Sequence, residues 1–447
     1  MALGRGYALP FIAGKQGGGG AGGAYGLLWQ EAINANVPPL TAEDFDAGQG
    51  SCLFTRGQSL YDAVTTKPSL LIVPQMRGSG KLAVDIPSPV FFDVTRATTA
   101  TRVNSSGLIE SVASGVPRLD WYATPAGQDL PATGCPALLV EPSATNLVLQ
   151  SRNLSVSGSW SASGITAVRN GVGADGTASG ACTLTATAAS GTILQNLSHA
   201  SQSRVFSAVM RRVSGSGEIQ LTTNGGTNWT AVTLTTQFIQ LACTAQTVAS
   251  GQVGIRMIAS GDVIEVDFTQ GEVGPIATSP IATTTAAVTR NADVISASGA
   301  LVSGLIGQTE GTIYVEVDIR NMAKETHLIR IDDGATANVI TLRTLTSNVI
   351  RTAITAPTTS GTLNISSAAF TAGIVKIAFA YKSGEIALSV NGATALTANG
   401  TFAFGASFNR ITLGSNQSAS SEFNDRIRAA ALYTTRLTND DLQTLTT

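Results

Sequence analysis

The chain has 447 residues, a formal net charge of −2 and only 13% charged side chains, while 43% of it is apolar. That length exceeds one ordinary hydrophobic core and calls for several domains. The near-neutral balance argues against nucleic acid as a main partner, since phosphate binding needs a basic face. The apolar content excludes intrinsic disorder.

The 47 glycines, with abundant Ala, Ser and Thr, fit short strands joined by tight turns. So low a charge implies that much surface is covered between subunits, so a homo-oligomer is expected. Arginine outnumbers lysine 21 to 6, which suits bidentate contacts inside an assembly. No run of 18 apolar residues occurs, so no membrane-spanning helix and no membrane insertion are expected. Pro10, Lys15 and the Gly17–Gly20 run break the N-terminal stretch. It does not read as a signal peptide, and synthesis and assembly in the cytoplasm are expected.

In chain order, residues 1–45 form a Gly-rich apolar arm carrying Leu9, Phe11, Ile12 and Leu27–Trp29. Either it anchors to another protein or it packs back on its own chain. Residues 46–140 read as a small β-rich connector, with strands at Leu70–Val73 and Leu82–Ile86 and a short helix at Ser59–Val64. Residues 141–278 hold short β-like runs at regular spacing, among them Cys182–Thr187, Val205–Met210, Val253–Ile258 and Val263–Phe268, which suits an all-β sandwich. Residues 279–290 are rich in Thr, Ala and Pro and read as an extended linker.

Residues 291–447 form a second all-β block. Gly311–Ile319 alternates, with Ile313, Val315 and Val317 on one face and Tyr314, Glu316 and Asp318 on the other. Gly373–Tyr381 and Glu385–Val390 read as a hairpin, and Thr438–Leu442 as a helix start with acidic residues in its first turn.

Candidate chemistry is sparse. Cys52, Cys135, Cys182 and Cys243 lack metal-ligand spacing, and read as buried reduced thiols or as a Cys182–Cys243 bridge. With only His199 and His327, a His dyad or zinc site has too few ligands. Asp262, Glu265, Asp267 and Glu272 cluster in sequence, but their spacing reads as a strand face and turns rather than as a hydrolase pair. No catalytic, cofactor-binding or metal-ligating residue is assigned, and the chain is expected not to be an enzyme. Trp160, Trp229 and Tyr314 are the candidate aromatic platforms for a glycan, each weighed against a place in the core.

The run Phe92-Asp93-Val94-Thr95-Arg96 to Arg102-Val103-Asn104 and the string Pro117-Arg118-Leu119-Asp120-Trp121 resemble segments of tailed-bacteriophage tail fibre and appendage proteins. So do Pro136–Pro142, Ser143–Leu147, Asp267–Gly274, Ser279-Pro280-Ile281 and Arg290-Asn291-Ala292-Asp293. The resemblance covers about residues 85–447. It implies tandem β-sandwiches after an irregular anchoring arm: a carbohydrate-binding-type jelly roll over 141–278, then a concanavalin/laminin-G-like sandwich over 291–447. The supports for the latter are Leu388–Gly392, Arg410–Gly414 and Ile427–Tyr433.

It further implies a virion structural protein of a fibre, spike or baseplate, made in the host cytoplasm and assembled as a homotrimer. Residues 1–84 would contact other virion proteins, and host cell-surface polysaccharide would be the external partner. A head or tail decoration protein and a polysaccharide-degrading tailspike are the alternatives. Jelly rolls of this type often hold calcium, for which the oxygen-rich ends near Asn146 and Asp267 are candidates.

Overall fold

A computed structural model of the chain describes residues 58–74, 82–83, 91–121, 136–416 and 421–447. The arm over residues 1–45, and Cys52 and Cys135, lie outside them. The architecture is all-β, in antiparallel sheets. Among the described residues, no helix is long and apolar enough to cross a membrane.

Strand Glu310–Ile319 shows how sequence becomes layer. Ile313, Val315, Val317 and Ile319 face one core, while Tyr314 faces another. Its neighbours on either side are Gly373–Lys382 and Asp425–Tyr433, in a sheet that continues through Ile386–Val390 to Leu396–Ala398. The opposing sheet runs from Phe91–Thr95 through Val294–Ser298, Arg410–Leu413, Thr326–Asp332 and Val339–Thr344 to Val349–Thr355 and Ser366–Ala369. Between the two sheets lie Phe379, Leu388, Ile329, Ile340 and Phe408. The outer face of the first sheet carries Ala378, Ala387 and Ala431, small enough for a helix to lie close. Helix Asn439–Thr446 covers it with Leu442 and Leu445. It starts on a reciprocal cap, in which Thr438 Oγ1 accepts from the Asp441 amide and the Asp441 carboxylate accepts from the Thr438 amide.

Several described strands between residues 70 and 140 join this C-terminal sandwich by pairing. Leu70–Ile72 and Ala137–Val140 both pair with Asp425–Tyr433, and Arg118–Asp120 pairs with Ala137–Val140. Phe91–Thr95 pairs with Val294–Ser298. The connector reading of 46–140 therefore needs correction. Leu70–Ile72 and Ala137–Val140 are buried along their whole length, and a short strand buried on both faces belongs inside a larger sheet. Among the described residues of this segment, Ala100–Val103 and Ile109–Val112 make a sheet of their own.

The sandwich between residues 147 and 273 is thus an insertion into the C-terminal one. Val263–Val273 and Gln202–Ser214 form the centre of one of its sheets; Gly251–Met257 and Gly191–Leu197 form the centre of the other. Trp160, Leu184, Phe206, Met210, Ile255 and Val266 fill its core. Cys182 and Cys243 lie in that core as free thiols. The two ends of the insertion meet, since Ala144–Asn146 pairs with Val288–Arg290. The segment expected as a linker, 279–290, is extended but tied down. The amide of Ser279 donates to Glu141, that of Ile281 to Gln270 and that of Thr283 to Ser151.

Where insertion and host meet, five buried charged side chains interlock. The Arg118 guanidinium contacts Glu141 at 2.5 Å and also contacts Asp293. Arg96 reaches Asp293 at 2.6 Å, and Arg290 contacts Glu141. Ser279 donates its hydroxyl to Glu141 at 2.6 Å. Burial pushes the Glu141 carboxyl up, but Arg118 and Arg290 outweigh it and hold it below the ordinary range. Removing one partner of such a network strands the others in low dielectric. Arg118→Ala is expected to destabilise the protein by about 3–5 kcal/mol, to be checked by urea unfolding followed by circular dichroism.

Candidate functional site

A cavity of about 510 Å³ opens beside this network, at the junction of the two sandwiches. That is ordinary for a small-ligand site. Three of the stretches that line it come from the segment before the insertion and from the host sandwich. The first is the Ala100–Val103 hairpin. Its turn is set by Asn104, whose side-chain oxygen accepts from the amides of Ser106 and Leu108, and by Gly107 at φ +78°. On that hairpin Arg102 pairs with Glu110 at 2.6 Å, leaving its Nη1 buried without a hydrogen-bond partner. The second is the end of Arg118–Asp120. Asp120 accepts from the Val103 amide at 2.7 Å and from Arg426 Nε at 2.7 Å. Next to it the Trp121 ring is buried, with the Arg102 guanidinium 5.5 Å from its centroid.

The third stretch is the start of Asp425–Tyr433. One carboxylate oxygen of Asp425 accepts from the amides of Arg320 and Asn321, at 3.0 and 2.9 Å. The other oxygen, Oδ1, is buried and has no partner. Burial pushes this carboxyl up to about 7, against the two amides and Arg426. Arg102 and Asp425 both line the cavity, while Arg102 Nη1 and Asp425 Oδ1 are themselves covered and have no hydrogen-bond partner among the described residues. An indole and the amide side chains of Asn321 and Gln240 line it as well.

The residues singled out from sequence fall elsewhere. Trp160 is 3% exposed and packs in the inserted core, its Nε1 directed at the Gln150 carbonyl. Tyr314 is 2% exposed beneath the C-terminal helix, and its hydroxyl donates to Glu316. Neither ring presents a face to a sugar, so these two platforms are corrected: the apolar rings are part of the cores. Trp229 is half-buried, with the Arg256 guanidinium 4.4 Å from its ring centroid, and does not line the junction cavity.

The acidic group of the insertion is occupied internally. Arg212 pairs with Asp262, Arg211 with Glu265 and Arg152 with Asp267, while Glu272 accepts from Thr278. The calcium candidates are also committed inside the protein. Asp267 accepts from Arg152 and the Ala174 amide, and Asn146 donates to the carbonyls of Thr269 and Ile281. A guanidinium stands where the oxygen-rich reading put a cation. Among the described residues no group of three or more His, Cys, Asp or Glu could hold a metal ion.

Sequence reasoning missed Arg102 and Asp425 as site residues. Arg102 sits in the Thr101-Arg102-Val103 stretch of the resembling run, which was a usable signal. Asp425 has none, because only the fold brings it to Asn321.

No protein-family model matches the sequence, and no curated protein matches it. Among solved structures, the chain is similar to the CBM40 module of Ruminococcus gnavus IT-sialidase bound to alpha2,6 sialyllactose. There the identity is 13%, with 32% of this chain and 85% of that chain covered, at a TM-score of 0.26. It is also similar to Trypanosoma rangeli sialidase in complex with 2,3-difluorosialic acid. There the identity is 14%, with 34% of this chain and 26% of that chain covered, at a TM-score of 0.29. The match thus spans about a quarter of that sialidase. At such values the likeness carries no argument about ligand or activity.

Asp425 gives the site a pH signature. Its folded pKa, about 7, lies above the ordinary carboxylate value. Native protein therefore binds more protons than unfolded protein between about pH 4 and 7, and stability falls as pH rises through that window. Asp425→Asn removes the buried charge and keeps an oxygen for the two amides. It is expected to raise stability by about 2–4 kcal/mol at pH 8 and to leave it nearly unchanged at pH 4. Urea unfolding at both pH values measures the difference.

Proposed function

We propose that this chain is a virion structural protein of a tailed-phage appendage that contacts host-surface saccharide at the junction of its two sandwiches. The observation that carries the reading is the junction cavity, lined by Arg102, Gln240, Asn321 and Asp425 together with apolar side chains. A sugar ring needs that combination, an apolar wall, here Ile109, Ile239 and Ile276, and planar polar groups for its hydroxyls. Hydrolysis would need two free carboxylates. Asp120 is paired with Arg426, and Glu141 with Arg118 and Arg290. The geometry thus favours binding over cleavage.

The phage setting draws its support from the motif residues that carry the resemblance. Arg96, Arg118, Glu141, Arg290 and Asp293 come from four separate motifs and meet in one network. Their joint use is to fix an inserted module on its host, as an extended appendage requires. In this reading residues 1–84 dock on other virion proteins and the chain assembles as a homotrimer. Weak sites repeated on three copies then gain avidity.

Calorimetric titration of the full chain with host polysaccharide fragments is expected to give binding that Arg102→Gln weakens at least tenfold, without release of reducing sugar. Unchanged binding in Arg102→Gln, with an unchanged melting temperature, would remove the cavity from the reading. Antibody labelling of particles for this chain is expected to mark the tail or baseplate; label on the capsid shell would favour a decoration protein.

A further inference from the structure

The outer face of the C-terminal sandwich's second sheet carries a feature that the junction cavity does not explain. His327, Arg343, Arg351 and Ser366 lie directly opposite one another across four adjacent strands. Residues so paired share a face, with Cβ atoms about 5 Å apart. Like charges set directly opposite in a sheet are destabilising, yet here two guanidiniums are neighbours. Arg343 has a partial counter-charge in Glu325, at 2.7 Å. Arg351 has no carboxylate partner among the described residues. Nε of Arg343, Nε of Arg351 and Nδ1 of His327 are all buried and have no hydrogen-bond partner among the described residues.

The adjoining row adds charge of the same sign. Arg330 and Arg410 both pair with Asp332. Among the described residues, Arg330, Arg343, Arg351 and Arg410 outnumber Asp332, Glu325 and Asp93 on this sheet face by one. Burial, with Arg343 and Arg330 next, pushes the His327 imidazole down to about 4. At neutral pH it is an uncharged hydrogen-bonding group within a cationic row.

We infer that this row is a binding site for a carboxylate-bearing sugar unit of an acidic polysaccharide, with Arg351 and Arg343 gripping the carboxylate and His327 and Ser366 meeting adjacent hydroxyls. The planar guanidinium matches a carboxylate through two parallel hydrogen bonds. A bound carboxylate between the two arginines supplies the counter-charge that no described residue gives Arg351. The inference deepens the saccharide-contact reading and uses a different site from the junction cavity.

The test uses the full chain and three probes: tri-galacturonate, a neutral dextran oligomer of the same length, and inorganic sulfate. Tri-galacturonate is expected to bind, and to weaken as salt rises. Arg351→Gln is expected to cost at least tenfold in affinity, and Arg351→Lys to recover only part of it, because the charge returns without the fork. Arg351→Gln should melt at the wild-type temperature or above, since it relieves a like-charge pair. Equal affinity for the neutral oligomer, or binding untouched by Arg351→Gln, would overturn the proposal. Sulfate binding as tightly as tri-galacturonate would reduce it to a generic anion site and overturn the sugar assignment. Arg102→Gln leaves this binding intact, so failure of the junction site and failure of this one are read separately.

Discussion

The structure depends on one buried guanidinium. Arg118 is fully enclosed and contacts both Glu141 and Asp293, one residue on each side of the inserted module. An arginine at that depth is tolerable only if it is paired and hydrogen-bonded. The two carboxylates, in turn, need Arg290 and Arg96. The network is complete only when the strand from the N-terminal segment, the start of the insertion and its end have all arrived. An apolar plug of equal volume could be as stable, but it would accept several registers. A network of fixed donors and acceptors accepts one, so the same charges that cost desolvation also fix how module and host are aligned.

That alignment creates the junction cavity. Arg102, Asp120 and Trp121 come from the segment before the insertion, Gln240 from the insertion, and Asn321 and Asp425 from the host sandwich. Such a site exists only in the assembled pair of sandwiches, and its geometry is inherited from the ion network next to it. The cationic row on the far sheet has another origin. It is built within one sheet, from strand register alone, and owes nothing to the insertion.

Much of the fold was legible in the sequence because its signals are local. Alternation over Gly311–Ile319, the Lys382-Ser383-Gly384 turn and the acidic first turn after Thr438 each fix structure within ten residues. The buried network was legible only as motif: Arg118, Glu141 and Asp293 stand out in order, while their meeting spans up to 175 residues. The membership of strands between residues 70 and 140 in the C-terminal sandwich was not legible, since strand partners three hundred residues apart leave no periodic trace. Neither was the burial of Trp160 and Tyr314. An aromatic ring in a strand reads the same in sequence whether its face of the sheet is open or covered, and the cover over Tyr314 comes from a helix at the other end of the domain. Asp425 and Arg351 were silent for the same reason, since what distinguishes them is the partner each lacks.

The pairing of Leu70–Ile72 and Ala137–Val140 with Asp425–Tyr433 also sets an order of events during synthesis. A ribosome adding about 5–20 residues per second releases those early strands many seconds before their partner exists. The inserted sandwich has all its strands in one contiguous stretch and can close while translation continues. The host sandwich must wait, its first strands exposed, until the last one emerges. A chain cut short before residue 425 would therefore hold a finished insertion on an open, unpaired host, a form well suited to recognition by quality-control proteases and poorly suited to incorporation into a particle.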